Sequence, residues 1–225
     1  VNERSELITK AAEMFEKTAP AKLLPFLMVL NSHPLCTNNN YIVGGAVRDL
    51  LLGNVPKDYD IVTDIPMDKL VEVFEDGGFR VKKTGVAHFV LNVIFNGYEV
   101  EISNFRKDVV CNGRQAEVEI GTMKDDAFRR DFTINSLYMN IQSGEVLDPT
   151  NAGLRDIENR ILRFVGKPTQ RIREDFLRVF RFYRFVGKGF VPDKSSLKAV
   201  RELWNEAYKN TTPERARVEM EKIVL

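Results

Sequence analysis

Two aspartates two residues apart, in Asp58-Tyr59-Asp60-Ile61-Val62, are the sharpest chemical feature of this 225-residue chain. In an extended segment, alternation turns both carboxylates to one face and sends Tyr59 and Ile61 to the other, into a core. Two acids side by side repel unless a cation lies between them. A hard divalent ion such as Mg²⁺, which takes oxygen ligands, suits the pair. Taken alone, such a pair is more often two solvated acids at a strand's edge.

Upstream, Gly44-Gly45-Ala46-Val47-Arg48-Asp49 reads as a strand running through two glycines into a helix. Glycines let a ligand approach the backbone, and free N–H groups at a helix start favour phosphate. Arg48 lies on the first turn, facing the same opening. Joined to Asp58 and Asp60, the glycine pair becomes a triphosphate cradle beside a metal site. A third acid is available at Glu99 or Glu101, which share one strand face, so pattern does not choose between them. Either one, on a neighbouring strand, completes a site for two ions: one activates an attacking hydroxyl, the other steadies leaving phosphate oxygens.

Two further segments carry polar groups at helical spacing. Asp131 and Asn135 are i,i+4 on a helix expected over residues 125–138, and both are good partners for ribose hydroxyls. Arg129 and Arg130, behind Asp125 and Asp126, have the ordinary alternative of solvated salt bridges. In the second half, Arg171, Asp175 and Arg178 are i, i+4, i+7 on one predicted helical face, with Phe176, Phe180 and Tyr183 on another. The aromatics read as core. An accepting Asp beside a donating Arg takes bases with an amino donor next to a ring-nitrogen acceptor, cytosine and adenine, and rejects guanine and uracil.

The elements that must position these residues divide the chain in two. Helices are expected over 6–17, 21–30, 46–52 and 67–76, with strands over 41–43, 58–62, 79–83, 88–95 and 98–104. Asn96-Gly97 is a hairpin turn between the last two. After residue 151 the pattern is mainly helical, and Asp148-Pro149-Thr150-Asn151 reads as the turn between the halves. The fold class is therefore α+β, with a head over 1–148 and a helical neck over 149–225. Residues 151–190 carry a net +6, leaving −5 elsewhere, so a neutral whole of +1 conceals a local surface attractive to a nucleic-acid backbone.

Composition excludes other classes. Hydrophobic content of 44% and charged content of 29% fit a globular protein. Two cysteines and two histidines exclude a disulfide scaffold and leave no basis for structural zinc. The longest apolar stretch, residues 23–30, is far too short to span a membrane, and the acidic first residues are not a secretory signal. A start at Val1 and an end without a helix stop signal read as a piece of a longer protein.

Gly44-Gly45-x-x-Arg48-Asp49, then Asp58-x-Asp60, then Glu101-Ile-Ser-Asn-Phe-Arg106, then Arg129-Arg130-Asp131-Phe-Thr-Ile-Asn135 resembles the class II tRNA nucleotidyltransferases. These are the CCA-adding enzymes and bacterial poly(A) polymerases of the polymerase-beta-like superfamily. The resemblance runs from about Tyr41 to Arg217. It implies a nucleotidyltransferase head with a small mixed sheet, followed by an all-helical neck that is truncated before body and tail domains. The family's Glu-x-x-x-x-Arg segment selects Glu101 over Glu99. The resemblance also implies that Asp58, Asp60 and Glu101 are the catalytic, Mg²⁺-binding acids. Gly44, Gly45 and Arg48 would hold the triphosphate, and Arg130, Asp131 and Asn135 the rest of the nucleotide. Glu174-Asp175-x-x-Arg178 resembles the family's protein template, with Asp175 and Arg178 choosing CTP and ATP and Glu174 assisting.

Two more segments bear on the kind of member. Residues 108–114 resemble the flexible loop that CCA-adding enzymes use when switching from C to A, although Asn112-Gly113 is equally an ordinary turn. Thr212-Pro213-Glu214-Arg215 reads as a helix start. It also resembles the last neck motif, where Glu214 and Arg215 buttress the template helix. The implied reaction is template-independent addition of CCA to the tRNA 3′ end from CTP and ATP, releasing pyrophosphate, in the cytoplasm or an organelle such as the mitochondrion. The alternatives are a poly(A) polymerase, a CC- or A-adding enzyme, or a non-catalytic nucleotide- or RNA-binding module.

Overall fold

The computed structural model describes residues 3–19, 21–34, 37–112 and 115–223. Helices α1 (Glu3–Thr18) and α2 (Leu24–Ser32) lead into β1 (Asn40–Val43), which passes through Gly44 into α3 (Gly45–Leu51). Then come β2 (Asp60–Thr63), α4 (Met67–Asp76), β3 (Arg80–Lys82), a 3₁₀ turn, β4 (Val90–Phe95) and β5 (Tyr98–Asn104). Positive φ at both Asn96 and Gly97 gives the β4–β5 hairpin the backbone that its tight turn needs. A separate hairpin, β6 (Arg106–Asn112) with β7 (Gln115–Ile120), precedes α5 (Met123–Arg129), β8 (Tyr138–Asn140) and β9 (Val146–Leu147).

Seven strands form one mixed sheet in the order β3-β4-β5-β2-β1-β8-β9, with β2 and β5 parallel. Alternation sorts the side chains as extended backbone requires. Ile42, Ile61, Leu91, Val93, Ile102 and Met139 enter the main core. Tyr41, Val43, Val62 and Tyr138 point to the opposite face, where Phe105 and Ala127 cover them in a smaller cluster. Asp60 and Glu101 lie at the open end of that second face.

The remaining chain is helical: α6 (Gly153–Glu158), α7 (Pro168–Glu174), α8 (Leu177–Gly187), α9 (Lys194–Asn210) and α10 (Pro213–Glu221). A two-residue parallel pair, β10 (Ile161–Leu162) with β11 (Val191–Pro192), interrupts the expected all-helical neck and returns the chain beneath α8. Phe132 packs against Phe164 at 4.7 Å and Phe185 at 5.5 Å, and Phe164 stacks on Phe182. A single buried cluster thus runs from Ala11 through these rings to Ala207, crossing residue 148 without a break.

Three sequence expectations are corrected. Strand β2 starts at Asp60, so Asp58 precedes it, although buried Tyr59 and Ile61 keep the predicted alternation. The helix expected over 125–138 ends at Arg129. Beyond it Phe132 pairs with Phe164, the Thr133 amide donates to the Arg163 carbonyl at 3.0 Å, and residues 138–140 join the sheet. The helix expected through Arg171 and Arg178 breaks at Asp175, whose backbone is extended. The Asp175 carboxylate accepts the Leu177 amide at 3.1 Å, a local bond that competes with the helix. Residues 108–112 of the expected loop lie in β6, and Gly113 and Arg114 lie outside the described residues.

Candidate active site

A cleft of about 1200 Å³ opens between the end of the sheet and α8. It is lined by all three predicted acids, the Gly44-Gly45 turn with Arg48, the trio Arg130, Asp131 and Asn135, and Asp175 and Arg178. Asp60 faces Glu101 directly in the β2–β5 register and faces Val43, the last residue before the glycine turn, in the β1–β2 register. The two acids therefore project from adjacent strands to one side, beside the turn. Glu99 is directed elsewhere and pairs with Lys82 at 2.8 Å.

Asp60 is electrostatically unsatisfied. Burial in the cleft pushes the Asp60 carboxyl up to about 6, and the neighbouring Glu101 and Asp58 add to the rise against the pull of Arg130 and Arg106. Among the described residues, no three Asp, Glu, His or Cys side chains are already drawn together tightly enough to hold an ion. The donor chemistry nevertheless fits Mg²⁺: all-oxygen ligands on neighbouring strands, mutually repelling, with Asp60's charge opposed by its surroundings.

Gly44 has φ +69°, and a Cβ there would sit 3.1 Å from Arg130 Nη1, so the turn requires glycine on both counts. Arg130 is held from behind. Its Nε and Nη2 donate to the fully buried Asp126 carboxylate, which also accepts from Arg129 and from the Tyr138 hydroxyl at 2.7 Å. Burial works to raise the Asp126 pKa, but Arg130 and Arg129 outweigh it and hold it well below the usual carboxylate range. Sequence reading offered solvated salt bridges as the ordinary alternative for Arg129 and Arg130, beside a nucleotide-holding role for Arg130, and assigned Asp126 no role of its own. The i,i+4 spacing of Asp126 and Arg130 was the available signal for a built anchor.

A chain of polar contacts crosses from sheet to neck. Arg48 Nη1 donates to Asn135 Oδ1 at 2.6 Å, Asn135 Nδ2 donates to Asp131 Oδ1 at 3.0 Å, and Arg181 Nε donates to Asp131 Oδ2 at 2.6 Å. Asp131 and Asn135 thus meet as predicted, across a 3₁₀ turn rather than along an α-helix. Burial again opposes the charge, and Arg181 with Asn135 holds Asp131 down at about 2. Arg48 also stacks over Phe185 of α8 at 4.9 Å. Arg181 and Arg184 of α8, with Lys188 just past its end, line the cleft and were not singled out by sequence, though their i, i+3, i+7 spacing marks a common face.

Because α7 and α8 are separate, Asp175 and Arg178 do not share one helical face with Arg171. Arg178 donates to Glu174 at 2.9 Å and to the Arg171 and Arg129 carbonyls. Arg171 donates to Glu174 and to the Phe128 carbonyl. Two guanidiniums therefore grip the C-terminal end of α5, where carbonyls are free. Asp175 instead meets Arg215 of α10 at 3.5 Å, the buttress expected of that residue, while Glu214 stays exposed.

A mixed sheet that ends in acids beside a Gly-Gly turn, extended by helices, is the fold of a nucleotidyltransferase head. A model of the poly A polymerase head domain matches residues 40–163. Over 214 residues the chain is 37% identical to human mitochondrial CCA tRNA nucleotidyltransferase 1, covering 92% of this chain and 48% of that protein. It is 34% identical over 205 residues to the CCA-adding enzyme of Bacillus pumilus, covering 89% of this chain and 49% of that one. The crystal structure of the Bacillus stearothermophilus CCA-adding enzyme in complex with CTP superposes with a TM-score of 0.75 at 31% identity, covering 90% of this chain and 48% of that one. The chain belongs to the family of class II CCA-adding enzymes and poly(A) polymerases, as its N-terminal head region, and spans about half the length of the relatives it matches.

Proposed function

We propose that this chain is the catalytic part of an enzyme that adds CMP and AMP, from CTP and ATP, to the 3′ end of tRNA with release of pyrophosphate. The observation that carries the reading is the in-register pairing of Asp60 with Glu101 beside the Gly44-Gly45 turn. In this reading residues 1–148 are the nucleotidyltransferase head and 149–225 the base-reading neck.

Asp58, Asp60 and Glu101 would hold Mg²⁺. When bound, the metal supplies Lewis-acid stabilisation of the phosphoryl oxygens and lowers the pKa of the attacking hydroxyl. The chain's own residues do the positioning. The Gly44-Gly45 backbone admits the triphosphate closely, and Arg48 and Arg130, pinned by Asn135 and Asp126, present fixed positive charge to it. The Asp131–Asn135 pair offers acceptor and donor atoms to the ribose. Asp175 and Arg178 read the base edge, accepting from the amino group and donating to the ring nitrogen of C or A. For that role Arg178 exchanges its bonds to Glu174 and to the Arg171 and Arg129 carbonyls for bonds to the base, so nucleotide entry shifts the neck against α5.

The reading is tested with tRNA shortened at its 3′ end, Mg²⁺, and CTP and ATP supplied separately and together. Additions limited to C, C and A are expected, and an Asp58→Ala variant should lose at least about 100-fold in rate. Long A tails from ATP alone would make the chain a poly(A) polymerase. Extension undiminished in Asp58→Ala would defeat the catalytic assignment.

A further inference from the structure

We propose that Arg106 holds a backbone phosphate of the RNA 3′ end being extended. The inference rests on the reading above and adds to it a residue for the second substrate.

Arg106 opens β6 directly after Phe105. Its main chain is fixed by its amide N–H, which donates a hydrogen bond to Asp126 Oδ1 at 3.4 Å, and by the neighbouring Phe105 carbonyl, which accepts from Gly121. Its half-buried guanidinium lines the cleft. Nε is buried with no hydrogen-bond partner among the described residues, and Nη1 has only the His88 carbonyl at 3.3 Å. Among the described residues no carboxylate forms an ion pair with it. Asp126, which accepts the Arg106 amide, is already occupied by Arg129, Arg130 and Tyr138, and Glu101 attracts Arg106 without a direct ion pair. Arg129 and Arg130 add like charge beside it. A desolvated guanidinium with an unpaired donor in cationic company calls for an anion with several acceptor oxygens, which a phosphodiester supplies.

Its place in the sheet selects which phosphate. The order β5-β2-β1 puts the glycine turn, with Arg48, at the end of β1 next to Asp60, and Arg106 after β5, the strand that carries Glu101, two places away. In an in-line displacement the attacking hydroxyl and the leaving pyrophosphate lie on opposite sides of the reacting phosphorus. Cations at the glycine turn therefore meet the triphosphate, and Arg106 meets the strand that carries the hydroxyl.

The test compares wild type, Arg106→Gln and Arg106→Lys, each checked by circular dichroism, for binding of a labelled tRNA ending in CC and of CTP. In Arg106→Gln, tRNA affinity should weaken about tenfold. The slope of log affinity against log salt should flatten by about 0.7 to 0.9, while CTP affinity holds. Arg106→Lys should recover the slope but not all of the affinity. A salt slope unchanged in Arg106→Gln overturns the proposal. So does a loss confined to CTP, which would assign Arg106 to the triphosphate, or a fall in kcat alone, which would make it a prop for Glu101. Wild type that neither binds CTP nor extends the tRNA would instead remove the underlying reading.

Discussion

Asp60 sits where burial and two neighbouring carboxylates all oppose its charge, which leaves it poised to gain from a bound cation. Its native carboxyl binds a proton more tightly than an unfolded one. Its contribution to stability is therefore complete below about pH 4 and is lost as pH rises through about 6. Asp60→Asn should consequently raise the melting temperature at pH 7.5 in EDTA, with the gain vanishing near pH 4, while activity falls at least about 100-fold. A melting curve unmoved at both pH values would show that the three acids do not repel one another. Asp126 has the opposite sign. Two guanidiniums hold its pKa down, so its stabilisation is present above about pH 4 and is withdrawn only at lower pH. Asp126→Asn leaves Arg129 and Arg130 without their buried counter-charge. It should cost about 3–5 kcal/mol in urea unfolding at neutral pH.

The β1–α3 turn separates a structural glycine from a functional one. At Gly44 a side chain meets both a positive φ and the Arg130 guanidinium 3.1 Å away, so Gly44→Ala should cost about 1–3 kcal/mol of stability as well as nucleotide affinity. At Gly45 an added Cβ finds only Arg48 Nη2 at 3.5 Å, an ordinary contact, so Gly45→Ala should keep the melting temperature. It should still weaken CTP binding measured by calorimetry, because the methyl group stands where a phosphate would approach. Equal losses of stability in both variants would contradict this division. The grip of Arg171 and Arg178 on α5 belongs to the same scale, since it ties the position of α7 and α8 to the end of a head helix.

At the scale of the whole molecule, sheet and neck share one interior. Phe132, on the head side, is enclosed by Phe164, Phe182 and Phe185 from beyond residue 148, and Asp131 depends on Arg181. Thermal unfolding should therefore be a single transition, coincident by far- and near-ultraviolet circular dichroism. Residues 1–148 expressed alone should bind a hydrophobic dye and lack sharp near-ultraviolet signals, because loss of the other half uncovers Phe132 and the core around it. Two separated transitions would mean that the halves fold independently. The cleft needs the neck as well, because α8 supplies Arg181 and Arg184 to its lining.

Alternation and local spacing determined a good deal before any fold was known. Tyr59 and Ile61 had to go inward if Asp58 and Asp60 went outward, Asn96-Gly97 had to turn, and the glycine pair before α3 had to leave its backbone open. These follow from bonds and side-chain directions within a few residues. The end of α5 at Arg129 was not legible, because partners near Arg163 claim residues 131–133 from some thirty positions away. Nor was the break at Asp175, where a carboxylate takes the Leu177 amide and the helix face imagined for Asp175 and Arg178 dissolves. The register of β2 against β5, a pairing between segments about forty residues apart, sets Glu101 rather than Glu99 opposite Asp60. The tertiary structure also decided that Asp126 pairs with Arg130 and Asp131 with Arg181 in largely buried surroundings, since only packing decides which charges lose their water.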